Sequence, residues 1–196
     1  MSYLDASAGQ AGTPDAQRLR DEDAAAWGYV PNFTGTFSLR PAVYRAWRQL
    51  NGSIRDGMDA RRYELVTTAA AAALHSSYCT LAHGRILARD HMPAAEVAAL
   101  VAEPDTADLP SVDRAIVAFA ARVAGGADRI DETDIEKLRA HGLADDEIFD
   151  VVLAAAARCF FSTCLEATGT PPDAAFAALP AQLREALTVG RPIEGA

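Results

Sequence analysis

The chain has 196 residues, half of them apolar and 23% charged, so it is long enough for one globular domain with its own core. Its formal net charge of −9, with Lys137 as the single lysine, argues against nucleic-acid binding, because acidic surfaces repel phosphates. The three cysteines, Cys79, Cys159 and Cys164, are too few and too odd in number for a disulfide scaffold and favour a reducing compartment.

The N-terminal segment MSYLDASAGQAGTPDAQ lacks the basic start and apolar centre of a signal peptide. No apolar run approaches the roughly 20 residues that a membrane helix needs. We therefore expect a cytoplasmic protein with no membrane contact. Residues 1–20 are small and polar and are predicted to form a flexible arm, followed by one domain over 21–196 with its core at 28–175.

The rest of the chain predicts helices separated by proline and glycine. Residues 28–41 form an ordered loop anchored by aromatic side chains, and Pro41 suits the first turn of the helix that follows. Alanine-rich, proline-free sequence predicts helix from Ala60 to about Asp90, and a long helix with an acidic start runs to Gly169. No segment shows the period-2 alternation of a strand, so the predicted fold class is all-α.

Two segments of the chain resemble each other. Residues 64–84 and 147–169 both begin with glutamate, cross an alanine run, and reach an aromatic residue, a cysteine and a glycine. This similarity suggests two similar helical halves that face each other.

The stretch HSSYCTLAH contains the residues with the clearest chemistry. Cys79 and His83 lie four residues apart and share one face of a helix, so an imidazole can take the thiol proton or stabilise the thiolate. Ser76, one turn earlier, is placed to give the thiolate a hydrogen bond. Ser76 and Ser77 can cap a helix that starts there, which predicts a break between two helices near residues 75–77.

Glu64 reaches this thiol only if such a break exists. It precedes Cys79 by 15 residues, which is about 22 Å along an unbroken helix. We therefore expect the chain to fold back near residues 75–77, or the two helices to cross.

The stretch RYELVTTAAAAALHSSYCTLAHGRILAR resembles the signature of the alkylhydroperoxidase D-like proteins of the carboxymuconolactone decarboxylase superfamily, in the subgroup of peroxidase-related proteins. That signature is a glutamate, a C-x-x-C motif twelve residues later, and a histidine four residues after the second cysteine. Glu64, Ser76, Cys79 and His83 occupy these positions. The segments GYVPNF and TGTPPD also resemble the family, so the likeness covers about residues 28–175.

The resemblance implies an all-α helical bundle that assembles as a dimer, trimer or hexamer, and a peroxidase that reduces small organic hydroperoxides without a cofactor or metal. Cys79 would be the peroxidatic thiol, and His83 and Glu64 would relay protons. Ser76 departs from the family, because it replaces the resolving cysteine, and serine cannot form the disulfide. An external thiol or dithiol, or else Cys159 or Cys164, would then have to reduce an oxidised Cys79.

Three alternatives stay open. His75, Cys79 and His83, at i, i+4 and i+8, could bind zinc on one helical stripe. Glu64 and His83 could act as general acid and base of a cysteine-independent decarboxylase or lyase, although no arginine cluster stands out in the sequence to hold a substrate carboxylate. The protein could also be a non-catalytic oligomer or a redox sensor, since a fold does not by itself carry activity.

Overall fold

The computed structural model describes residues 2–5, 9–104 and 107–195, and within these it contains ten α-helices and no strand. The predicted all-α class is confirmed. The helices are α1 Pro14–Trp27, α2 Asn32–Phe37, α3 Pro41–Asp56, α4 Ala60–Ala73, α5 Ser77–Asp90, α6 Ala94–Ala102, α7 Ser111–Gly126, α8 Glu132–Ala140, α9 Asp145–Thr168 and α10 Ala181–Leu187. Three short 3₁₀ segments lie at Gly9–Gly12, Ala127–Arg129 and Ala174–Ala178.

Local sequence signals account for many of the helix ends. Pro41 opens α3, as predicted, because the first turn has no use for its missing N–H. The Asp59 carboxylate caps α4 by accepting a hydrogen bond from the Arg62 N–H at 2.8 Å. Gly169 ends α9 in the left-handed region, with a φ of 68° that glycine adopts without strain.

Helix α4 lies at the centre of the bundle and packs mainly against α7, α5 and α9. Every residue from Tyr63 to Ala71 on this helix is buried, and small alanine side chains let the neighbouring helices approach closely. This central position is what carries Glu64 into the interior, close to α5.

Three features differ from the sequence-based expectations. Residues 14–20, which we assigned to the flexible arm, belong to α1 and bury Leu19 in the core, so the ordered body starts before Pro14. The loop predicted at 28–41 contains the short helix α2. The similar segments 64–84 and 147–169 do pack against each other, but the first is two helices and the second is the unbroken α9.

Helix α9 is long and apolar enough to span a membrane, with a mean hydropathy of 1.8 over its best window, contrary to our expectation that no run comes close. Half of that window is buried inside the protein. Because α9 packs against α3, α4, α5 and α7, its apolar character fits the core of a soluble helical domain.

Candidate active site

The predicted break between helices is present and folds α5 back along α4. Helix α4 ends at Ala73 and α5 begins at Ser77. Between them His75 adopts a φ of 53°, in the left-handed region that non-glycine residues rarely enter. Gly190 lies against the His75 carbonyl so closely that any Cβ would overlap it, and its N–H donates to Ser77 Oγ at 2.7 Å. The C-terminal segment therefore stabilises this turn.

The turn brings Glu64 of α4 into contact with His83 of α5. His83 Nδ1 lies 2.8 Å from Glu64 Oε2, and both side chains are largely buried. Burial, and then the positive charge of Arg158, lower the pKa of His83, although Glu64 opposes this shift. His83 is thus neutral near pH 7, and with a carboxylate at Nδ1 the proton belongs on that nitrogen and leaves Nε2 as an acceptor.

The Cys79 sulfur lies against a guanidinium that the sequence analysis did not single out. Arg158 Nη1 of α9 donates to Cys79 Sγ at 3.6 Å. The guanidinium carbon also lies 5.9 Å from the Trp47 ring centroid and 5.7 Å from that of Phe161. A cation at this distance can stabilise the negative charge that develops on the sulfur when it reacts. An arginine inside the apolar stretch AAAARCFFSTC was the signal available in the sequence.

Cys79, His83, Glu64 and Arg158 all line one cavity of about 260 Å³ between helices α1 to α5 and α9. The cavity wall combines aromatic side chains with charged ones, among them Asp23 and Glu64. Its aromatic members are Trp27, Phe33, Tyr44, Trp47, Tyr63, Tyr78 and Phe161. Cys79 itself is only 1% exposed, so a reactant must enter the cavity to reach the sulfur.

Ser76 does not make the hydrogen bond to sulfur that its spacing predicted. Its Oγ is buried and has no hydrogen-bond partner within the described part of the chain. The side chain instead lies near Glu166, whose pKa is raised by burial and lowered in part by this hydroxyl and by Arg191. Arg158, rather than Ser76, is the polar group in contact with Cys79.

A buried carboxylate fixes the position of the start of α5. Asp173 accepts hydrogen bonds from Tyr78 Oη at 2.5 Å, Tyr29 Oη at 3.0 Å and the Asn32 N–H at 2.7 Å. Tyr78 directly precedes Cys79, and Asn32 begins α2, which supplies Phe33 to the cavity wall. Asp173 therefore connects the cavity wall to the helix that carries the thiol.

The other two cysteines have different surroundings. Cys159 and Cys164 are partly buried on α9, and burial raises the pKa of both thiols. Neither lines the cavity. Arg158 lowers the pKa of Cys159 in part, but burial dominates, so the thiol beside the cavity is Cys79.

The zinc alternative loses its proposed third ligand. The break before α5 takes His75 off the stripe of Cys79 and His83, and His75 lines a separate surface cavity beside Leu100 and Val117. Within residues 2–5, 9–104 and 107–195, no three His, Cys, Asp or Glu side chains are grouped as a metal site requires.

These features define the class: an all-α bundle in which α4 and α5, joined by a tight turn, bring a glutamate–histidine pair into the same cavity as a buried thiol. Residues 41–108 match the carboxymuconolactone decarboxylase family. The chain is 26% identical to an uncharacterized peroxidase-related protein from Ralstonia eutropha JMP134, described as an alkylhydroperoxidase AhpD core, with a TM-score of 0.78 over 89% of this chain and 94% of that one. The resemblance that the sequence motif predicted is thus confirmed as a match of residues 41–108 to this family and as an alkylhydroperoxidase D-like fold.

Two further solved structures share the fold. An uncharacterized peroxidase-related protein from Silicibacter sp. TM1040 is 22% identical, with a TM-score of 0.79 over 90% of this chain and 94% of that one. A cysteine-to-alanine variant of the debrominase Bmp8, in complex with 2,3,4-tribromopyrrole, is 19% identical, with a TM-score of 0.71 over 91% and 95%. No functionally curated protein matches the sequence.

Proposed function

We propose that the protein is a thiol-dependent peroxidase that reduces small organic hydroperoxides through Cys79. The observation that carries the proposal is the contact between Cys79 Sγ and the Arg158 guanidinium inside a cavity that also holds the His83–Glu64 pair. A thiol beside a cation, in the same cavity as a neutral imidazole, has the groups that nucleophilic attack requires.

The reaction begins with transfer of the Cys79 proton to His83 Nε2, and Glu64 stabilises the imidazolium that forms. The thiolate attacks the terminal oxygen of the hydroperoxide, an S–O bond forms, and the O–O bond breaks. The sulfur is oxidised by two electrons to a sulfenic acid. The alkoxide leaves with both electrons of the O–O bond and takes the proton back from His83, which yields an alcohol.

The second half of the cycle requires an external thiol. Ser76 cannot form a disulfide with Cys79, and neither Cys159 nor Cys164 lines the cavity. One thiol condenses with the sulfenic acid to release water and form a mixed disulfide, and a second thiol then restores Cys79. This need for a thiol pool agrees with the reducing, cytoplasmic location that the cysteine usage favours.

One observation favours a second candidate function. The cavity is lined by Arg48 and Arg55 as well as Arg158, which the sequence did not make evident, and Arg158, which has no ion pair among the described residues, could hold a substrate carboxylate. With Glu64 and His83 as acid and base, the same cavity has the groups of a cysteine-independent decarboxylase or lyase.

We also propose that the protein forms homo-oligomers through an apolar groove between α3 and α9. The groove is lined by Val43, Ala46, Trp47, Leu50, Ile54, Leu153, Ala156, Ala157 and Phe160. Val43, Leu50 and Phe160 are between 41% and 55% exposed in the isolated chain, and a second copy would remove this apolar surface from water.

Steady-state turnover of several hydroperoxides, with several monothiols and dithiols, tests the proposal in the wild type, Cys79→Ser and Glu64→Gln. Loss of turnover in Cys79→Ser is the expected result. Lyase activity on small carboxylates that survives Cys79→Ser but is lost in Glu64→Gln would support the second candidate. Absence of any turnover in the wild type would support a non-catalytic or redox-sensing role and overturn both.

A further inference from the structure

The cavity contains a buried cation without an ion-pair partner. Arg158 is 2% exposed, and no carboxylate oxygen of the described residues lies within 4.0 Å of its guanidinium. The other two arginines of the cavity are paired: Arg48 with Glu22 and Asp23, and Arg55 with Asp56. Arg158 is therefore the arginine of this site whose charge is left for a ligand.

Few of the hydrogen-bond donors of Arg158 are used. Within residues 2–5, 9–104 and 107–195, Nη1 donates to Cys79 Sγ at a long 3.6 Å, the guanidinium also interacts with the Tyr63 side chain, and the buried Nε has no partner. A guanidinium has five N–H groups, and a protonated thiol is a weak acceptor. Because burying an unpaired cation is costly, an anion that reaches Arg158 while Cys79 is protonated relieves that cost.

The walls of the cavity favour a flat apolar ligand. Seven aromatic side chains line it, and Trp47 and Phe161 stack with ring centroids 4.3 Å apart directly beside Arg158. The volume of about 260 Å³ exceeds that of an engineered apolar cavity of about 150 Å³ that binds benzene. A single aromatic ring with one substituent group therefore fits this space.

We propose that the cavity binds one-ring aromatic compounds that carry an anionic group, with the anion at Arg158 and the ring against Trp47 and Phe161. It deepens the proposed peroxidase by naming its substrates as hydroperoxides that carry such a ring and anion, and it rests on that function only for the cleavage of their O–O bond at Cys79. The binding itself requires no turnover.

Binding is tested in the full-length Cys79→Ser variant, which has no reactive sulfur in the cavity. Trp27 and Trp47, the two tryptophans of the chain, both line the cavity, so their fluorescence reports occupancy. The probes are benzoate, its uncharged analogue benzamide, and acetate, which has the charge but no ring. Benzoate is expected to bind at least about tenfold more tightly than either, as a charge-assisted hydrogen bond together with ring contacts implies.

Two arginine variants identify the contact in the Cys79→Ser background. Arg158→Met should abolish the preference for benzoate over benzamide, whereas Arg139→Met, which changes a surface arginine on α8 paired with Glu136 and Asp145, should keep it. Equal binding of benzoate and benzamide before any arginine is changed would overturn the proposal, as would acetate binding as tightly as benzoate. The comparison of ligands needs no arginine variant, so misfolding of Arg158→Met would not leave the proposal untested.

Wild-type turnover separates this inference from the proposed function. Benzoate binding in a protein that consumes no hydroperoxide would support the ligand class and overturn the peroxidase. Hydroperoxide turnover in a protein that binds benzoate and benzamide equally well would support the peroxidase and overturn the ligand class.

Discussion

Arg158 donates a hydrogen bond to the sulfur of Cys79, and its positive charge should make the thiolate of Cys79 easier to form. Replacing Arg158 by methionine keeps most of the side-chain volume and removes the cation. We expect alkylation of Cys79 by iodoacetamide at pH 7 to slow by about tenfold or more, because a hydrogen bond to a charged group contributes about 1.5–3 kcal/mol. Mass spectrometry of each cysteine measures the three rates separately.

Arg139→Met is the control for this measurement, because Arg139 is a surface residue. We expect Arg158→Met to fold, because methionine keeps the apolar contacts with Trp47 and Phe161 and the desolvation cost of the buried cation is removed. An unchanged alkylation rate of Cys79 would mean that the guanidinium does not stabilise the thiolate.

The titration of His83 makes the free energy of unfolding depend on pH. Burial and Arg158 lower its pKa below the ordinary value of 6.5. Below pH 6.5 the unfolded chain therefore binds a proton that the folded protein does not, so the free energy of unfolding falls as the pH is lowered through the window between 6.5 and the depressed pKa. Urea unfolding of the wild type and His83→Gln at several pH values measures this, and the variant should lose this part of the pH dependence.

The other buried titratable groups do not affect the comparison of the wild type with His83→Gln. Burial raises the pKa values of Asp23, Asp173 and Glu166, and a raised pKa has the opposite sign, with stability lost as the pH rises. These contributions are present in both proteins and cancel in the difference. An identical pH dependence in wild type and His83→Gln would show that the histidine titrates normally.

At the scale of single residues, sequence reasoning identifies those members of the site that lie close to one another in the chain. Cys79 and His83 follow from helical periodicity, and Glu64 follows once a turn is placed at 75–77. Arg158 lies 79 residues from Cys79, and its contact depends on how α9 crosses α5. No local pattern specifies that crossing, so sequence reasoning missed it.

At the scale of elements, the start of α5 is built to accept a second cysteine. Ser76 is the residue before the first turn of α5 and Cys79 is in that turn, an arrangement in which the two side chains can approach. Ser76 Oγ has no hydrogen-bond partner among the described residues, so Ser76→Cys gives up only its weaker interaction with Glu166. We expect this variant to form a disulfide with Cys79 after one equivalent of hydroperoxide, and to turn over faster with a dithiol.

Ser77→Cys is the matched comparison, because Ser77 points toward Gly190 and accepts its N–H. It should give no disulfide with Cys79. Thiol titration and peptide mapping under non-reducing conditions measure both outcomes. Two free thiols at positions 76 and 79 after oxidation would show that the turn holds these side chains apart.

Asp173 connects three elements, and its removal should destabilise all of them. Asp173→Ala leaves three donors, from Tyr29, Tyr78 and Asn32, without their acceptor. Since each unsatisfied buried donor costs about 1–3 kcal/mol, we expect the free energy of unfolding in urea to fall by about 3 kcal/mol or more. Tyr29→Phe removes one donor together with its need for a partner and should cost about 1 kcal/mol. Equal small losses in both variants would contradict this role.

Among the features of the helices, the sequence predicted their ends best. Pro41 and Gly169 act through their own backbone chemistry, so they could be identified without knowing the fold. The extent of α1 could not be predicted in this way, because Leu19 is ordered by burial against the rest of the protein rather than by a local signal. The location of α9 could not be predicted either, because a long apolar helix can lie in a protein core or in a membrane.

At the scale of the whole molecule, the interface proposed at the groove between α3 and α9 would couple assembly to the site. Trp47 lines both the groove and the cavity, and its ring stacks on Phe161 beside Arg158. A second copy that covers the groove would therefore fix a wall of the cavity. The family resemblance predicts oligomers, and the exposed apolar side chains supply the surface for them.

Val43→Glu and Val30→Glu form a matched pair for testing this surface, because the two valines are 46% and 44% exposed and Val43 alone lines the groove. A buried carboxylate at an apolar interface is costly, so Val43→Glu should shift the protein toward monomers while Val30→Glu leaves its assembly unchanged. Light scattering after size exclusion measures the mass of each protein over a range of concentrations. Because loss of the partner frees the Trp47 wall, the KM for hydroperoxide should rise in Val43→Glu in step with dissociation. A wild-type protein that is monomeric at every concentration would contradict both the interface and this coupling.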